Sequence, residues 1–364
     1  MSIIAIVSPA VADGDATSND MLGMYYCLRA QGHDVRLFTG LGEISAVEVN
    51  SCALLLGPLG KRVSLLIYHY NLGWPPGADI VAAVSGKRVV KFHNVTPPHF
   101  FEGLSPEYSA LCRLGRKQIE TLAGLDCDLY LSDSDYNQEE LLEAGVPASR
   151  CRVVPPFHQV DRLAALAADP DILGACRDGT CNLVSVGRLV PNKGHGTLID
   201  AFALYHMRHD SNSRMLIIGR EDDRLIAYAD GLRRRVSDWG LDQAVIFTDE
   251  VTDSALKAYY LSADLYLTAS AHEGFCVPLV EAMALELPIV AYGSTAIPAT
   301  VGDAGLVWEN PDPELFAESI HALARNDRLR QALARRGRRR YEQHFSTARI
   351  KEQFSGALGI SGRP

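Results

Sequence analysis

The sequence lacks the cysteine spacings, long apolar runs and excess of basic residues that mark several classes of protein. Its eight cysteines form no Cys-x-x-Cys pair and no histidine cluster stands at zinc-site spacing, so we expect free thiols in a reducing cytoplasm. No run of about 18 apolar residues is present, which predicts that no segment spans a membrane. The first residues show no basic region followed by a long apolar one, so we read them as a strand instead of a signal peptide. The net charge of −9 argues against general nucleic-acid binding, because neutralising phosphates requires a basic surface.

Length and composition predict two domains. The chain has 364 residues, of which 47% are hydrophobic, and single cores stop growing near about 250–300 residues. Short apolar segments alternate with helical stretches, and strands that are apolar throughout indicate parallel sheets covered on both faces. The predicted strands lie near 3–7, 34–38, 53–56, 64–68, 88–92, 128–131, 152–154, 182–186, 214–218, 244–247, 264–268, 288–291 and 305–307.

The alternation pauses between residues 155 and 181, where two prolines end a strand and a polar segment follows. We therefore predict an α/β protein with two doubly wound, Rossmann-like domains at 1–158 and 159–345. A C-terminal helix at 346–364 is expected to pack back on the first domain. Two such domains would present the carboxyl ends of their strands to a central cleft, where ligands bind in this fold class.

Two glutamates with seven residues between them follow the predicted strand at 264–268. Glu273 falls in the strand-to-helix loop, where its carboxylate can accept hydrogen bonds from sugar hydroxyls. Glu281 falls in the early turns of the next helix and can accept from two neighbouring ribose hydroxyls. On spacing alone, two solvated surface glutamates are the better interpretation of such a pair. The start of the helix offers free N–H groups that suit a phosphate, and its residues are Gly274, Phe275, Cys276 and Val277.

The stretch around these glutamates resembles a known family. Glu-Gly-Phe…Pro…Glu-Ala-Met at 273–283, followed by Pro-Ile-Val-Ala, is similar to the E-x7-E signature of retaining GT-B glycosyltransferases of the GT4 family (glycosyltransferase group 1). The resemblance covers nearly all of 182–345, and it implies that Glu273 contacts the donor sugar and Glu281 the ribose. Cys276 and Glu286 depart from the pattern, because each replaces a glycine that is common in the family.

Two basic residues follow the first strand of the second domain. Gly187 and Arg188 come directly after it, and Lys193 lies five residues further on. A guanidinium and an ammonium at one strand end can stabilise the negative charge that develops on a leaving diphosphate. The simpler interpretation is surface solubility. We predict no metal site, since the Asp-Ser-Asp at Asp133 and Asp135 matches the family's Ser-x-Ser segment instead of a metal loop.

Further site residues follow from the resemblance. Gly219 and Arg220 end the next strand, where the family has a glycine turn beside the base; Arg220 fits a surface charge equally well. Val251 falls in a stretch whose backbone meets the base edge. His93 closes a strand of the first domain and corresponds to a family histidine beside the donor sugar, so it joins Arg188, Lys193 and Glu273 as a catalytic candidate. His69, at the end of the preceding strand, stays open between a structural and a functional role.

The resemblance implies a retaining, metal-independent hexosyltransferase that needs no cofactor beyond its donor, a nucleoside-diphosphate sugar. The run from Tyr68 to Phe101 looks like a subgroup common in bacterial surface-polysaccharide and O-antigen (lipopolysaccharide) assembly. That likeness points to GDP-mannose or GDP-rhamnose as donor and to a saccharide or lipid-linked saccharide as acceptor.

Other interpretations remain open at this stage. One is a UDP-sugar donor, and another is a non-catalytic sugar-nucleotide-binding partner subunit. A dinucleotide-dependent oxidoreductase is disfavoured, since no Gly-x-Gly-x-x-Gly follows the first strand. We expect a cytoplasmic protein without a nucleic-acid partner. The arginine-rich segment 335–340 suits a solvated helix face, or peripheral contact with acidic lipids at the inner membrane surface.

Overall fold

The computed structural model describes residues 3–360, which form two compact units. The first unit comprises residues 3–99, 107–159 and 347–360, and the second comprises 100–106 and 160–346. The short segment 100–106 was predicted in the first domain. It groups with the second unit, where the Phe100 ring lies 6.4 Å from the ring of His272.

The first unit is built on a seven-stranded parallel sheet with the order β3-β2-β1-β4-β5-β6-β7. Its strands are β1 Ile3–Ala10, β2 Asp34–Leu41, β3 Val49–Ser51, β4 Val63–Tyr70, β5 Lys87–Phe92, β6 Leu129–Ser132 and β7 Cys151–Val153. Its helices include α1 Ala16–Ala30, α2 Pro75–Ala83, α3 Pro106–Gly124 and α4 Asp135–Glu143. The strand order reverses between β1 and β4, and such a reversal marks the ligand-binding edge of a doubly wound sheet.

The second unit repeats this plan with a six-stranded parallel sheet in the order β10-β9-β8-β11-β12-β13. Its strands are β8 Cys181–Val186, β9 Ser213–Ile218, β10 Val245–Phe247, β11 Leu265–Thr268, β12 Ile289–Tyr292 and β13 Gly305–Trp308. Its helices are α5 Val160–Ala165, α6 Pro170–Cys176, α7 His195–Arg208, α8 Ile226–Asp238, α9 Asp253–Ser262, α10 Val277–Ala284, α11 Ile297–Val301, α12 Pro313–Ala324 and α13 Asp327–Arg340. Here the order reverses between β8 and β11.

Both faces of each sheet are buried, as the continuously apolar strands predict. In β1, Ile4 and Ile6 enter one core while Ala5 and Val7 enter another, and alternate residues of the other central strands separate in the same way. This pattern confirms the predicted α/β class of two doubly wound, parallel-sheet domains.

The last helix, α14 Thr347–Leu358, belongs to the first unit. Its buried residues Ile350, Phe354 and Leu358 enter the same core as Ile4 and Ile6. Phe354 packs edge-on against Phe157, with ring centroids 5.6 Å apart. Residues 361–364 of the predicted helix lie outside the described residues.

One predicted strand is wrong. The apolar run 53–56 lies in a 3-10 helix, Cys52–Leu56, and the edge strand is the shorter β3 that precedes it. Within the run Leu55 is buried, whereas Leu54 and Leu56 are about half exposed. Leucine favours helical backbone over extended backbone, and at the sheet edge a neighbouring strand is present on one side alone.

The arginine-rich segment 335–340 ends α13, and part of it is structural. Arg338 donates to the carbonyl of Ala284 at the end of α10 (2.7 Å), and Arg340 donates to the carbonyl of Thr300 in α11 (2.8 Å). These bonds satisfy carbonyls at helix C-termini. Arg335 and Arg339 are exposed. Among residues 3–360, no helix is both long enough and apolar enough to cross a membrane.

Candidate active site

The predicted residues of the second unit collect at the carboxyl ends of β8, β9 and β11. Gly187 and Arg188 follow β8, Gly219 follows β9, and Glu273 follows β11. Because β8 and β11 are neighbours at the point where the strand order reverses, their C-terminal loops border the edge where such sheets bind ligands.

Lys193 and Glu273 form an ion pair. Nζ of Lys193 donates to Oε1 of Glu273 at 2.6 Å, and the two side chains are 21% and 10% exposed. Burial opposes the charge on Lys193, but the carboxylate of Glu273 outweighs it and raises the pKa of the lysine. The pair therefore presents one fixed cation and one fixed anion to anything that binds at this edge.

The Lys193–Glu273 pair is held by a clamp, which we define as the contacts between the loop after β8 and the loop after β11. Asn192 donates from its side chain to the carbonyl of His272 (3.1 Å), and its own carbonyl accepts from the N–H of Ala271 (2.7 Å). Gly194 ends the first loop at a φ of 68°, and a Cβ there would stand 2.1 Å from the carbonyl oxygen of Ala269. Only glycine permits this approach.

The ends of β8 and β9 also meet through glycine. A Cβ on Gly219 would lie 2.1 Å from the carbonyl oxygen of Gly187, so the two backbones touch directly. The N–H of Leu189 donates to the carbonyl of Arg220 at 3.1 Å, which continues the contact beyond the strands. A close approach of this kind leaves main-chain groups, instead of side chains, at the surface of the site.

The other predicted residues of this region are more loosely placed. Arg188 is 49% exposed and lies 3.8 Å from Asp222. Its positive charge repels that of Lys193 and opposes the rise in the pKa of the lysine. Arg220 is exposed, which also fits a surface charge. Val251 is partly buried and packs on a core of the unit. The structure thus brings Gly187, Lys193, Gly219 and Glu273 together and leaves the side chains of Arg188 and Arg220 exposed.

Glu281 is held by a residue that the sequence did not single out. The hydroxyl of Tyr260, in α9, donates to Oε2 of Glu281 at 2.7 Å. Burial raises the pKa of Glu281 to about 7, against the opposing effect of the tyrosine bond. The remaining oxygen, Oε1, can accept from hydroxyl groups. Nothing in the sequence near Tyr260 marks this contact, because 21 residues separate the partners.

The start of α10 has an unusual backbone. Cys276 precedes the helix at a φ of 74°, and Glu286, just after it, has a φ of 57°. These values explain why glycine is common at both positions in the family that the sequence resembles. Thr300 donates to the carbonyl of Phe275 at 3.0 Å and fixes the turn, which also contains Gly274. Burial raises the pKa of the Cys276 thiol, which favours its protonated form.

In the first unit, His93 lies in a buried polar cluster. Its Nδ1 is 2.8 Å from Oδ2 of Asp133, and its Nε2 is 2.8 Å from Nδ1 of His69. Lys91 forms an ion pair with Asp133 at 2.6 Å, while Asp135 begins α4. Asp20 completes the cluster from α1. Sequence reasoning missed Asp20 and Lys91, since nothing in the sequence near either residue indicates a contact with His93 or Asp133.

Residues 177–340 match the model of the family Glycosyl transferases group 1. Two relatives illustrate the match. Mannosylfructose-phosphate synthase of Agrobacterium fabrum is 26% identical over 246 residues, which cover 66% of this chain and 54% of that protein. GDP-mannose-dependent alpha-(1-6)-phosphatidylinositol monomannoside mannosyltransferase of Mycolicibacterium smegmatis is 28% identical over 251 residues, with coverages of 64% and 63%. The chain thus matches between half and two thirds of the length of these relatives.

Two solved structures share the fold. Anabaena HepE in complex with UDP and glucose superposes with a TM-score of 0.76 at 18% identity, over 99% of this chain and 100% of that one. WaaG, a glycosyltransferase involved in lipopolysaccharide biosynthesis, superposes with a TM-score of 0.72 at 16% identity, over 99% and 100%. At identities this low the likeness shows the fold alone. The superpositions confirm the predicted GT-B fold. The family match covers residues 177–340 of the second unit and supports the predicted class of enzyme.

Proposed function

We propose that this protein is a glycosyltransferase whose donor is a nucleoside-diphosphate sugar. The match of residues 177–340 to the family Glycosyl transferases group 1 supports this proposal. The observation that carries the proposal is the Lys193–Glu273 ion pair, clamped at 2.6 Å on the ligand-binding edge of the sheet. A fixed cation beside a fixed anion fits a donor whose diphosphate needs positive charge and whose sugar offers hydroxyl donors.

Each group of the site has a part in this proposal. Lys193 and the half-exposed Arg188 stabilise the leaving diphosphate, so no metal ion is required. Glu273 accepts hydrogen bonds from the donor sugar. Glu281 accepts from the ribose hydroxyls through the oxygen that Tyr260 leaves available. The backbone of residues 274–277 faces a phosphate, while Gly187, Gly219, Arg220 and Val251 border the base.

We propose that transfer proceeds with retention of configuration. The bond between the anomeric carbon and the diphosphate oxygen breaks, and a bond to the acceptor hydroxyl forms on the same face of the sugar. The acceptor proton passes to an oxygen of the departing phosphate. Cations that bind this phosphate more strongly as its charge grows lower the barrier. His93 is the catalytic residue that we assign to the first unit, on the strength of the family resemblance.

For the donor we propose GDP-mannose or GDP-rhamnose, and for the acceptor a saccharide or lipid-linked saccharide of a surface polysaccharide. The mycobacterial relative is named as GDP-mannose-dependent and as acting on a phosphatidylinositol mannoside, which supports both parts. WaaG is named for lipopolysaccharide biosynthesis. With such an acceptor, we propose that the enzyme works in the cytoplasm, in peripheral contact with the inner face of the membrane.

A UDP-sugar is the second candidate donor, because the HepE structure contains UDP and glucose. A non-catalytic sugar-nucleotide-binding subunit is the remaining alternative. It predicts donor binding without turnover, which separates it from both transferase proposals.

The test is release of nucleoside diphosphate from GDP-mannose, GDP-rhamnose and UDP-glucose, in the presence of a lipid-linked saccharide extract. Wild-type protein should consume one donor. Glu273→Gln should lower kcat by about 100-fold or more, the usual result of removing one preorganised polar contact at a reacting centre. Glu286→Gln, an exposed glutamate just past α10, is the matched control and should retain activity. Full activity in the Glu273 variant would refute the site assignment.

A further inference from the structure

Five ionisable side chains are buried together at the carboxyl ends of the strands in the first unit. Asp20, His69 and Lys91 are fully buried, and Asp133 and His93 are nearly so. They come from α1, β4, β5, the loop after β5 and the loop after β6. Buried charges without balancing partners are costly, so the charges of this cluster constrain one another.

Both ring nitrogens of His93 are engaged. Nδ1 lies 2.8 Å from Oδ2 of Asp133, and because an ionised carboxylate can only accept, Nδ1 carries the proton of that bond. In a neutral ring Nε2 must then accept, so His69 donates to it from Nδ1 across 2.8 Å. The chain from His69 through His93 to Asp133 therefore sets the tautomer of both rings.

Asp20 lies against the junction of the two rings. Its Oδ1 accepts from the N–H of Phe157 at 2.7 Å. Its Oδ2 is 3.6 Å from Nε2 of His93, 3.7 Å from Nδ1 of His69 and 3.9 Å from Nζ of Lys91. This oxygen is buried with no hydrogen-bond partner among the described residues. A proton on Oδ2 of Asp20 would point toward the lone pair on Nε2 of His93, which already accepts the hydrogen bond from His69.

The cluster has one lysine for two carboxylates. Lys91 pairs with Asp133 at 2.6 Å and donates to the carbonyl of Val154. With both carboxylates ionised and both imidazoles neutral, the cluster carries a net charge of −1, and one proton makes it neutral. Burial opposes the ionisation of Asp133, but His93 and Lys91 outweigh it and lower its pKa. Burial raises the pKa of Asp20 to about 6 against the opposing effect of the Lys91 ammonium, so Asp20 is the carboxyl that takes up the proton.

We infer that Asp20 and His69 are positioning residues for His93, and that the charge of Asp20 decides which partner Nε2 of His93 has. With Asp20 ionised, His69 donates to His93 and the ring is fixed. With Asp20 protonated, its hydroxyl competes for the same lone pair and the ring loses its fixed partner. His69 itself stays neutral, because burial and the neighbouring His93 and Lys91 keep its pKa well below the usual value. The catalytic consequence rests on the proposed function, in which His93 is the catalytic residue of the first unit.

A bound metal ion is the competing account of the same atoms. Oδ2 of Asp20, Nδ1 of His69 and Nε2 of His93 lie within 4.8 Å of one another, which is close enough for three ligands of one ion. Lys91 opposes this account, because its ammonium lies 3.9 Å from the same oxygen of Asp20. A divalent ion would also leave the buried cluster with a net charge of +1, whereas a proton leaves it neutral.

The first test observes the ring directly and needs no activity. Histidine side chains of the full-length protein are labelled with ¹⁵N, and His93 is assigned by its loss in His93→Gln. We expect the Nδ1–H tautomer at neutral pH and a shift of the Nε2 signal between about pH 5 and pH 7, around the pKa of Asp20 near 6. In Asp20→Asn this shift should vanish. The variant should fold, because its amide still accepts from Phe157 and the Lys91–Asp133 pair is neutral by itself.

The second test uses the pH dependence of kcat at saturating donor, because the pKa of Glu281, raised to about 7, adds its own pH dependence to kcat/KM. Wild-type activity should fall about tenfold for each pH unit below about pH 6, since the ionised fraction of Asp20 falls in that proportion. Asp20→Asn and His69→Gln should each lose this dependence and lower kcat more than they raise KM. Asp128→Asn replaces an exposed carboxylate of the same unit that accepts from the N–H of Arg88, and it should behave as wild type.

The outcomes separate the two proposals. If no donor is consumed, the proposed function fails, while the ¹⁵N titration still decides the role of Asp20. If transfer occurs but Asp20→Asn keeps the wild-type pH-dependent shift of the His93 Nε2 signal and the wild-type pH profile, the positioning role is wrong. A stoichiometric divalent metal in the purified wild-type protein, lost in His69→Gln, would also overturn the inference.

Discussion

Gly219→Ala is the substitution for which the structure makes the sharpest energetic prediction. A Cβ at this position would stand 2.1 Å from the carbonyl oxygen of Gly187 and 2.6 Å from its carbonyl carbon. Both obstacles are backbone atoms, so no side-chain rotation relieves them. The end of β9 must move away from the end of β8 by roughly 1 Å to restore an ordinary contact distance.

Gly187→Ala is the matched comparison. Gly187 and Gly219 both have positive φ, 154° and 148°, so alanine is strained at either position by about 1–3 kcal/mol. At Gly187, however, the nearest atoms to a new Cβ belong to the flexible side chain of Lys193, at 3.6 Å or more. Overpacking against backbone adds about 1–3 kcal/mol at Gly219 alone. We therefore expect Gly219→Ala to be the more destabilising variant by that amount.

Hydrogen–deuterium exchange of the full-length protein measures this difference where it arises. The bonds from Gly187 to the Ile218 carbonyl (2.9 Å) and from Leu189 to the Arg220 carbonyl (3.1 Å) join the two strand ends. In Gly219→Ala the amides of 187–190 should exchange about 5–100-fold faster than in Gly187→Ala, the equivalent of about 1–3 kcal/mol. Equal exchange in the two variants would refute the claim that the backbones touch here.

Three further predictions follow from the packing and charges of the site. The raised pKa of Glu281 favours its protonated form in the folded state. Glu281→Gln should therefore gain stability relative to wild type, by up to about 3 kcal/mol, as the pH rises from about 4.5 to 7. Urea unfolding at both pH values tests this, and a constant difference in the free energy of unfolding would contradict it. Phe354→Ala should cost about 3–5 kcal/mol by opening a cavity beside Phe157, seen as faster amide exchange in β1; unchanged exchange would show that α14 does not support this core. Lys193→Met and Glu273→Gln should couple by about 0.5–3 kcal/mol in a double-mutant cycle of unfolding, and additive effects would argue against the ion pair.

The sequence predicts the scaffold well because the strands are apolar on both faces. Continuous runs such as those of β1 and β4 leave few alternatives to a buried parallel sheet, and a pause in the alternation marks the second unit. The run 53–56 misled for the same reason: its leucines are as apolar as a buried strand, yet two of them lie exposed at the sheet edge. Hydrophobicity alone does not show where a sheet ends.

The sequence predicts the candidate site as a set of residues but not the contacts among them. Glu273 and Lys193 each follow a strand end, but their pairing depends on a clamp between loops 80 residues apart. Tyr260 and Asp20 carry no motif, since a buried tyrosine or aspartate on a helix has no sequence pattern of its own. Their partners, Glu281 and His93, were found by resemblance.

The central claim is that the second unit binds a nucleoside diphosphate through Glu281 and the Lys193–Glu273 pair. Calorimetric titration with GDP, UDP, ADP, CDP and dTDP tests it most directly, with Glu281→Gln and the control Glu286→Gln measured beside the wild type. We predict that at about pH 8, where the carboxylate of Glu281 is ionised, one nucleotide binds selectively. Glu281→Gln should weaken its binding about 10–100-fold by replacing a charged acceptor with a neutral one, and Glu286→Gln should bind as wild type. Binding of none of the five nucleotides, or equal affinity in wild type and Glu281→Gln, would contradict the account.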